Sequence, residues 1–154
     1  MKLSAYGMRI ALPDGWEGRI YRRPEGDPTL HAGNFPLPVA DGDFGSGAIG
    51  QMPRRGIFVV LTEYRADETG RPLFAERGLG LPVTESLLSP DTMQRTRPGL
   101  SGHQRFFTQG ERPFCLYVVV GDTPSPASLL SAANRVLRTL SLSPHRQRYA
   151  YAQG

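Results

Sequence analysis

The amino-acid sequence predicts an α+β fold, an antiparallel β-sheet with a C-terminal amphipathic helix packed on it. The chain of 154 residues contains 18 glycines and 14 prolines, which disfavours a bundle of long helices because both residues interrupt them. Two strongly apolar segments have the composition of buried strands, whereas one segment near the end has apolar residues at helical spacing. We therefore expect a single domain over residues 1–143 and a flexible C-terminal tail over 144–154.

The first half of the chain is predicted to be β-structure. Apolar residues in Met8–Leu12 alternate with residues of the opposite face, the period of a half-buried strand. Pro13–Gly15 has the composition of a turn, so we expect a hairpin between this strand and residues 16–22. A third strand is predicted over 30–35, and residues 57–64, IFVVLTEY, predict a central strand buried on both faces.

Two glycine-rich or irregular stretches separate the predicted strands. Residues 41–50 contain four glycines and are predicted to be a loop. Residues 66–102 contain apolar side chains without a clear period, so we expect short helices and a covering loop. Within them, Ser89 followed by Pro90 is typical of a helix start, with the serine as N-cap.

The C-terminal part predicts a second hairpin followed by the main helix. Residues 104–109 and 114–120 flank the turn-forming segment Gly110–Pro113. Ser125 can cap a helix that has Pro126 at its first position. The apolar stripe of this helix needs a partner, and the sheet is the only large one. The stripe consists of Leu129, Leu130, Ala133, Val136, Leu137 and Leu140.

Charge and cysteine content restrict the classes of function. The net charge is +4, and Arg146 and Arg148 of the tail supply half of it, so the body carries only about +2. This balance disfavours nucleic acid as a partner. Cys115 is the only cysteine, which excludes an intrachain disulfide. No segment has the length of a membrane span or the apolar core of a signal peptide, so we expect a cytoplasmic protein.

The sequence contains no complete motif for catalysis, a cofactor or a metal. Asp41 and Asp43 stand at positions 1 and 3 of a possible calcium loop, but Gly45 and Met52 occupy positions 5 and 12, which need oxygen ligands. Residues 45–50 spell G-x-G-x-x-G without a preceding strand, which disfavours dinucleotide binding. We therefore expect no enzyme activity, no cofactor and no metal site.

Several single residues have reactive or charged side chains, but each is more typical of a structural role than of a functional site. Cys115 lies in an apolar strand and is expected to be inert, although a pair with His103 across the hairpin is an alternative. Glu63 is expected at a solvated strand edge. Arg105–Phe107 could stack nucleic-acid bases, or its arginine could simply cover the sheet. The three histidines, His31, His103 and His145, are isolated in sequence.

The order of these segments resembles the PsbP-like, Mog-type α/β/α sandwich family. The resemblance depends on the early segment MRIALPDGWEGRIY with its P-x-G-W turn, on the strands IFVVLTEY and PFCLYVVVG, and on the terminal helix LLSAANRVLRTLSL. The same order of segments is also similar to that of a small actinobacterial protein family. The resemblance implies an interaction role and no catalytic residue, since members of this fold class are mostly binding, adaptor or accessory proteins.

These observations together predict a non-enzymatic protein-interaction or accessory (adaptor) protein with a protein partner. The alternative is a small-ligand carrier with a pocket between sheet and helix. The predicted contact residues belong to the loop over 41–50 and to the arginine pair after it. They are Asp41, Asp43, Phe44, Arg54 and Arg55.

Overall fold

The computed structural model describes residues 1–39, 46–92, 99–121 and 123–144, which form two antiparallel sheets and a C-terminal helix. The large sheet has the strand order β3-β4-β5-β7-β6, and the small sheet has the order β1-β2-β8. The predicted α+β class is therefore confirmed. The elements are β1 (Lys2–Ala5), β2 (Met8–Ala11), β3 (Glu17–Tyr21), β4 (Thr29–Gly33), α1 (Ser46–Gly50), β5 (Ile57–Glu63), β6 (Ser101–Gln109), β7 (Arg112–Val120), α2 (Ala127–Leu137) and β8 (Ser141–Leu142).

The predicted central strand, β5, lies between β4 and β7 in the large sheet. It pairs with β7 along its whole length, from Ile57 opposite Val120 to Glu63 opposite Phe114. Every residue of β7 is buried, and so is every residue of β5 except Thr62. Both faces of this strand pair are covered, which explains why their apolar side chains do not alternate with polar ones.

The predicted second hairpin is confirmed and joins β6 to β7. It turns over two residues, Gly110 and Glu111, whose φ angles are +57° and +65°. Positive φ at both positions is typical of a type I′ turn, whose twist matches that of antiparallel strands. Gln109 and Arg112 form the first pair across the turn.

The predicted hairpin between Met8–Leu12 and residues 16–22 is wrong. β2 pairs with β1 and β8 in the small sheet, whereas β3 pairs with β4 in the large one. The chain turns instead at Tyr6 and Gly7, which both have positive φ. Two-residue alternation identifies a strand and its buried face, but it does not identify the neighbouring strand.

The small sheet and α2 lie side by side on one face of the large sheet, here called the inner face. The inner side chains of β2 and the apolar stripe of α2 belong to one core with those of the large sheet. Five stripe residues within α2 are buried, and Leu140 follows the helix partly buried. The helix begins at Ala127 with Pro126 as N-cap and no side-chain cap bond, so the predicted cap by Ser125 is wrong.

Residues 66–92 lie along β6 as a covering segment with short 3-10 turns, as expected. The Asn134 side chain ties this segment to α2, because it bonds the Val83 N–H at 2.8 Å and the Val83 carbonyl at 2.9 Å. Ser89 Oγ accepts the Asp91 N–H at 3.1 Å where the last turn begins. The 3-10 turns are Ala66–Glu68, Pro72–Phe74, Glu85–Leu87 and Pro90–Thr92.

The opposite, outer face of the large sheet carries a second, smaller apolar cluster. Phe58 and Val60 of β5 pack there with Tyr117 of β7, and Ala48 of α1 covers them. The predicted loop over 41–50 is therefore wrong for residues 46–50, which form a short helix. Its remaining residues lie outside the described part of the chain, as does the tail from residue 145.

Candidate functional site

A cleft opens on the outer face of the large sheet, beyond the apolar cluster. Its floor is formed by Thr29 of β4 and Thr62 of β5, which are opposite each other, and Tyr21 of β3 is opposite Thr29 at one side. Residues directly opposite one another in antiparallel strands share a face, so these three side chains lie side by side. Tyr64 follows two residues after Thr62, and the β3–β4 connection adds Arg23 and Asp27. The cleft has a volume of about 280 Å³.

Thr62 supplies an unpaired polar atom to the cleft. Its Oγ1 is buried and has no hydrogen-bond partner in the described part of the chain. A buried polar atom without a partner costs about 1–3 kcal/mol. Thr62 also lines the cleft, so its side chain borders the space that a bound molecule would occupy.

Tyr21 forms one wall of the cleft and is held from several sides. Its hydroxyl lies 3.4 Å from Nε2 of His31, and the two rings meet edge to face at 5.3 Å. The Arg23 guanidinium lies 5.9 Å from the centre of the Tyr21 ring. This packing holds the ring in place, so the wall is formed before any ligand arrives.

Tyr64 forms the opposite wall. Its ring packs against Phe74 at 5.3 Å and against Phe106 at 6.0 Å. Burial, with a smaller effect from Cys115, raises the pKa of Tyr64 to about 12. The phenol is therefore protonated at neutral pH and can donate a hydrogen bond.

The rim of the cleft carries charges of both signs. Arg65 and Glu68 lie on one side of the rim, and Arg23 and Asp27 lie on the other. Glu68 also forms an ion pair with Arg71, with 3.3 Å between Glu68 Oε2 and Arg71 Nε. A second cavity of about 440 Å³ shares Asp27 and Arg65 with the first, so the cleft continues across the surface. This mixed rim suits a neutral or zwitterionic ligand better than a highly charged one.

The predicted contact residues lie elsewhere. Arg54 and Arg55 are exposed in the turn between α1 and β5. This turn is fixed, because the Asn34 side chain donates to the Arg55 carbonyl at 3.0 Å and accepts the Ile57 N–H at 2.7 Å. Asp41, Asp43 and Phe44 lie outside the described residues, so their role stays a prediction.

The alternative Cys115–His103 pair does not form. Cys115 is opposite Phe106 and His103 is opposite Val118, so the two side chains point to opposite faces of the sheet. Burial raises the pKa of Cys115 to about 11, as expected for an inert thiol. Burial and the neighbouring Arg105 lower the pKa of His103.

The burial of side chains decides two further expectations, one about Glu63 and one about Arg105. Glu63 is wrongly predicted at a solvated edge, because its side chain is 0% exposed and pairs with Arg112. Arg105 does not form a stacking platform with Phe107, which is itself fully buried. The Arg105 guanidinium instead donates to the carbonyls of Gly78 and Arg77, at 2.9 and 3.0 Å.

The interface between the large sheet and α2 is filled by apolar side chains, and no residue of α2 lines either cavity of the cleft. A pocket at that interface, as predicted for a ligand carrier, stays a prediction. The sequence patterns did not indicate Tyr21, Thr62 or Tyr64 as residues of a binding site. One signal was present, since Thr62 is the first polar residue in the apolar run IFVVLTEY.

Within the described ranges, no group of three or more His, Cys, Asp or Glu side chains is placed to hold a metal ion. None of the helices there is long and apolar enough to cross a membrane. Comparison of the chain with protein-family models, with curated proteins and with solved structures gives no match in any of the three. The resemblance to the PsbP-like family therefore stays a prediction.

Proposed function

We propose that this protein is a non-enzymatic binding protein that holds a small, partly polar ligand in the outer-face cleft. The observation that carries the proposal is the buried, unpaired Oγ1 of Thr62 on the floor of a preformed cavity. A folded protein keeps such an atom at a loss of stability, and a ligand hydroxyl or carbonyl group would recover that loss.

The walls indicate the shape of the ligand. Tyr21 and Tyr64 bring an aromatic ring from each side of the threonine floor. Aromatic walls favour a flat, apolar body, and the floor hydroxyl favours one polar group at its end. A cavity of about 280 Å³ is close to the lower end of the range for small-molecule sites. A single-ring or fused two-ring aromatic compound with one polar substituent meets these conditions.

A thermal-shift screen tests the proposal with phenol, benzyl alcohol, indole, nicotinamide, tyrosine and tryptophan as probes. We expect at least one probe to raise the melting temperature of the native protein, since a ligand that binds only the folded state stabilises it. The same probe should give no rise with Thr62→Val, which removes the hydroxyl and keeps the shape.

The matched control is Thr84→Val, which removes an exposed hydroxyl of the covering segment outside the cleft. It should respond to the probe as the native protein does. Equal stabilisation of Thr62→Val and the native protein, or no stabilisation by any probe, would contradict the proposal.

A second candidate function is capture of a protein partner by Arg54 and Arg55. The fixed turn favours it, because a rigid turn presents its two exposed arginines at little entropic cost. Charge reversal in Arg54→Glu/Arg55→Glu should abolish retention of a stoichiometric protein partner at high salt. Unchanged retention by this variant would exclude the turn as the contact.

A further inference from the structure

The charges of this protein are segregated along the chain and in space. All 14 acidic residues lie between Asp14 and Asp122, so residues 1–13 and 123–154 contain none. The fold brings residues 1–13 and 123–144 together, because β8 pairs with β2 and α2 packs beside the small sheet. The net charge of +4 for the whole chain does not reveal this segregation.

The exposed side of the layer formed by the small sheet and α2 is here called the basic face. In the small sheet, Arg9 lies between Ser4 and Ser141, and Lys2 lies one pair further along the same side. All four are exposed, whereas Met8 alternates to the buried side. This face therefore presents two cations and two hydroxyl groups from the sheet alone.

α2 extends the basic face. Its exposed residues include Ser128, Ser131 and Arg135, and the exposed Arg138 directly follows the helix. Hydrogen bonds at 3.0 and 3.1 Å between Thr139 Oγ1 and the backbone of Ala11 hold the end of α2 against β2. The helix and sheet parts of the basic face are thereby fixed relative to each other.

The cations of the basic face have no acidic partners among the described residues. In the described part of the chain, no ion pair involves Lys2, Arg9, Arg135 or Arg138. The arginines elsewhere that form ion pairs do so with carboxylates of residues 14–122, such as Glu76 and Glu63. A surface whose own segments contain cations without acidic partners and no acidic residue produces a positive potential that an anionic partner can use.

We propose that the basic face docks on the phosphate backbone of double-stranded nucleic acid without reading its sequence. Arginine, lysine and serine side chains are typical phosphate contacts. No aromatic side chain belongs to the described basic face, which disfavours stacking of single-stranded bases. Among the described residues of the segments that form this face, Met1 is the one large apolar residue that is exposed, which disfavours insertion into a lipid surface.

The test is fluorescence anisotropy of a labelled 20-base-pair DNA duplex titrated with the full chain. Four phosphate contacts predict a slope of about −3.6 in a plot of log K against log salt concentration. Affinity should therefore fall on the order of 100-fold between 50 and 200 mM salt. Arg9→Glu/Arg138→Glu should weaken duplex binding at 50 mM salt by at least about tenfold.

The control variant is Arg71→Glu/Arg77→Glu, which makes the same change in net charge at two exposed positions of the covering segment, outside the basic face. It should retain duplex binding within about threefold of the native protein, and circular dichroism should show both variants folded. Equal weakening by the two variants would overturn the proposal, because the effect would then follow net charge alone.

Two further arms decide between anionic partners. Vesicles containing anionic phosphatidylglycerol and a single strand of the same length are titrated beside the duplex. Tighter binding to the duplex than to either supports the proposal. No duplex binding at 50 mM salt, or preference for vesicles or the single strand, would overturn it.

Discussion

Arg112 forms a buried, bidentate ion pair with the carboxylate of Glu63. Its Nε donates to Oε2 at 3.0 Å and its Nη2 donates to Oε1 at 2.8 Å, with side chains that are 1% and 0% exposed. The same guanidinium donates to the carbonyls of Tyr6 and Ser143, both at 2.9 Å. The Tyr6 carbonyl lies in the turn between β1 and β2, and the Ser143 carbonyl directly follows β8. One arginine of the large sheet therefore holds the two sheets together.

Replacement of Arg112 by methionine should destabilise the protein strongly. It would leave the Glu63 carboxylate buried without a partner and release the small-sheet carbonyls, so we expect a loss of about 3–5 kcal/mol in the free energy of unfolding. Urea denaturation followed by circular dichroism measures this loss. The control Arg71→Met breaks the exposed ion pair with Glu68 and should change stability by less than about 1 kcal/mol. Similar losses in the two variants would refute a special role for Arg112.

Thr62→Val should leave the stability unchanged or raise it. The hydroxyl it removes has no protein partner, so its loss removes a desolvation penalty rather than a hydrogen bond. Thr108→Val provides the matched comparison, because Thr108 Oγ1 is buried and donates to the Phe74 carbonyl at 2.6 Å. We expect Thr108→Val to lose about 1–3 kcal/mol in chemical denaturation. A comparable loss for Thr62→Val would show that its hydroxyl is paired.

The stability of the protein should fall on mild acidification in part through His103. Burial and the neighbouring Arg105 lower the pKa of His103, so the folded state favours the neutral ring. A lowered pKa contributes stability above the unfolded value of about 6.5, and this contribution is lost as the pH falls through the folded pKa. Urea denaturation at pH 7.5 and pH 5.5 should show a smaller pH-dependent loss in His103→Gln than in the native protein. An identical loss in both would contradict the assignment.

Cys115 should resist thiol reagents in the folded protein. Burial raises its pKa to about 11, so little thiolate exists at pH 8 and the sulfur is shielded. With Ellman's reagent at pH 8, we expect labelling at least about 100-fold slower in buffer than in 8 M urea. Cys115→Ser gives the blank. Native and denatured rates within about tenfold of each other would show that the thiol is accessible.

The local elements of the fold were predictable because each has a signal within a few neighbouring residues. β5 and β7 are continuous apolar runs, and the β6–β7 turn contains glycine. α2 shows its stripe at helical spacing. Where local signals were weak the predictions failed, as for α1, whose five residues include two glycines.

The candidate site was less predictable than the fold. Tyr21, Thr62 and Tyr64 are each ordinary strand residues in sequence, and only the register of β3, β4 and β5 places them around one cleft. Arg54 and Arg55 were identifiable because adjacent arginines beside a turn-forming segment are expected at the surface, where the structure places them.

The fold class, the buried strands, the second hairpin and the face that α2 buries follow from the amino-acid sequence, because periodicity and turn chemistry act over short distances. Only the folded structure shows that β2 joins β1 rather than β3, and that Glu63 meets Arg112 inside the protein. It also shows that β2 and β8, which come from the two acid-free segments, lie side by side. These outcomes depend on contacts between residues far apart in sequence, where packing and charge burial, rather than local propensity, set the free energy.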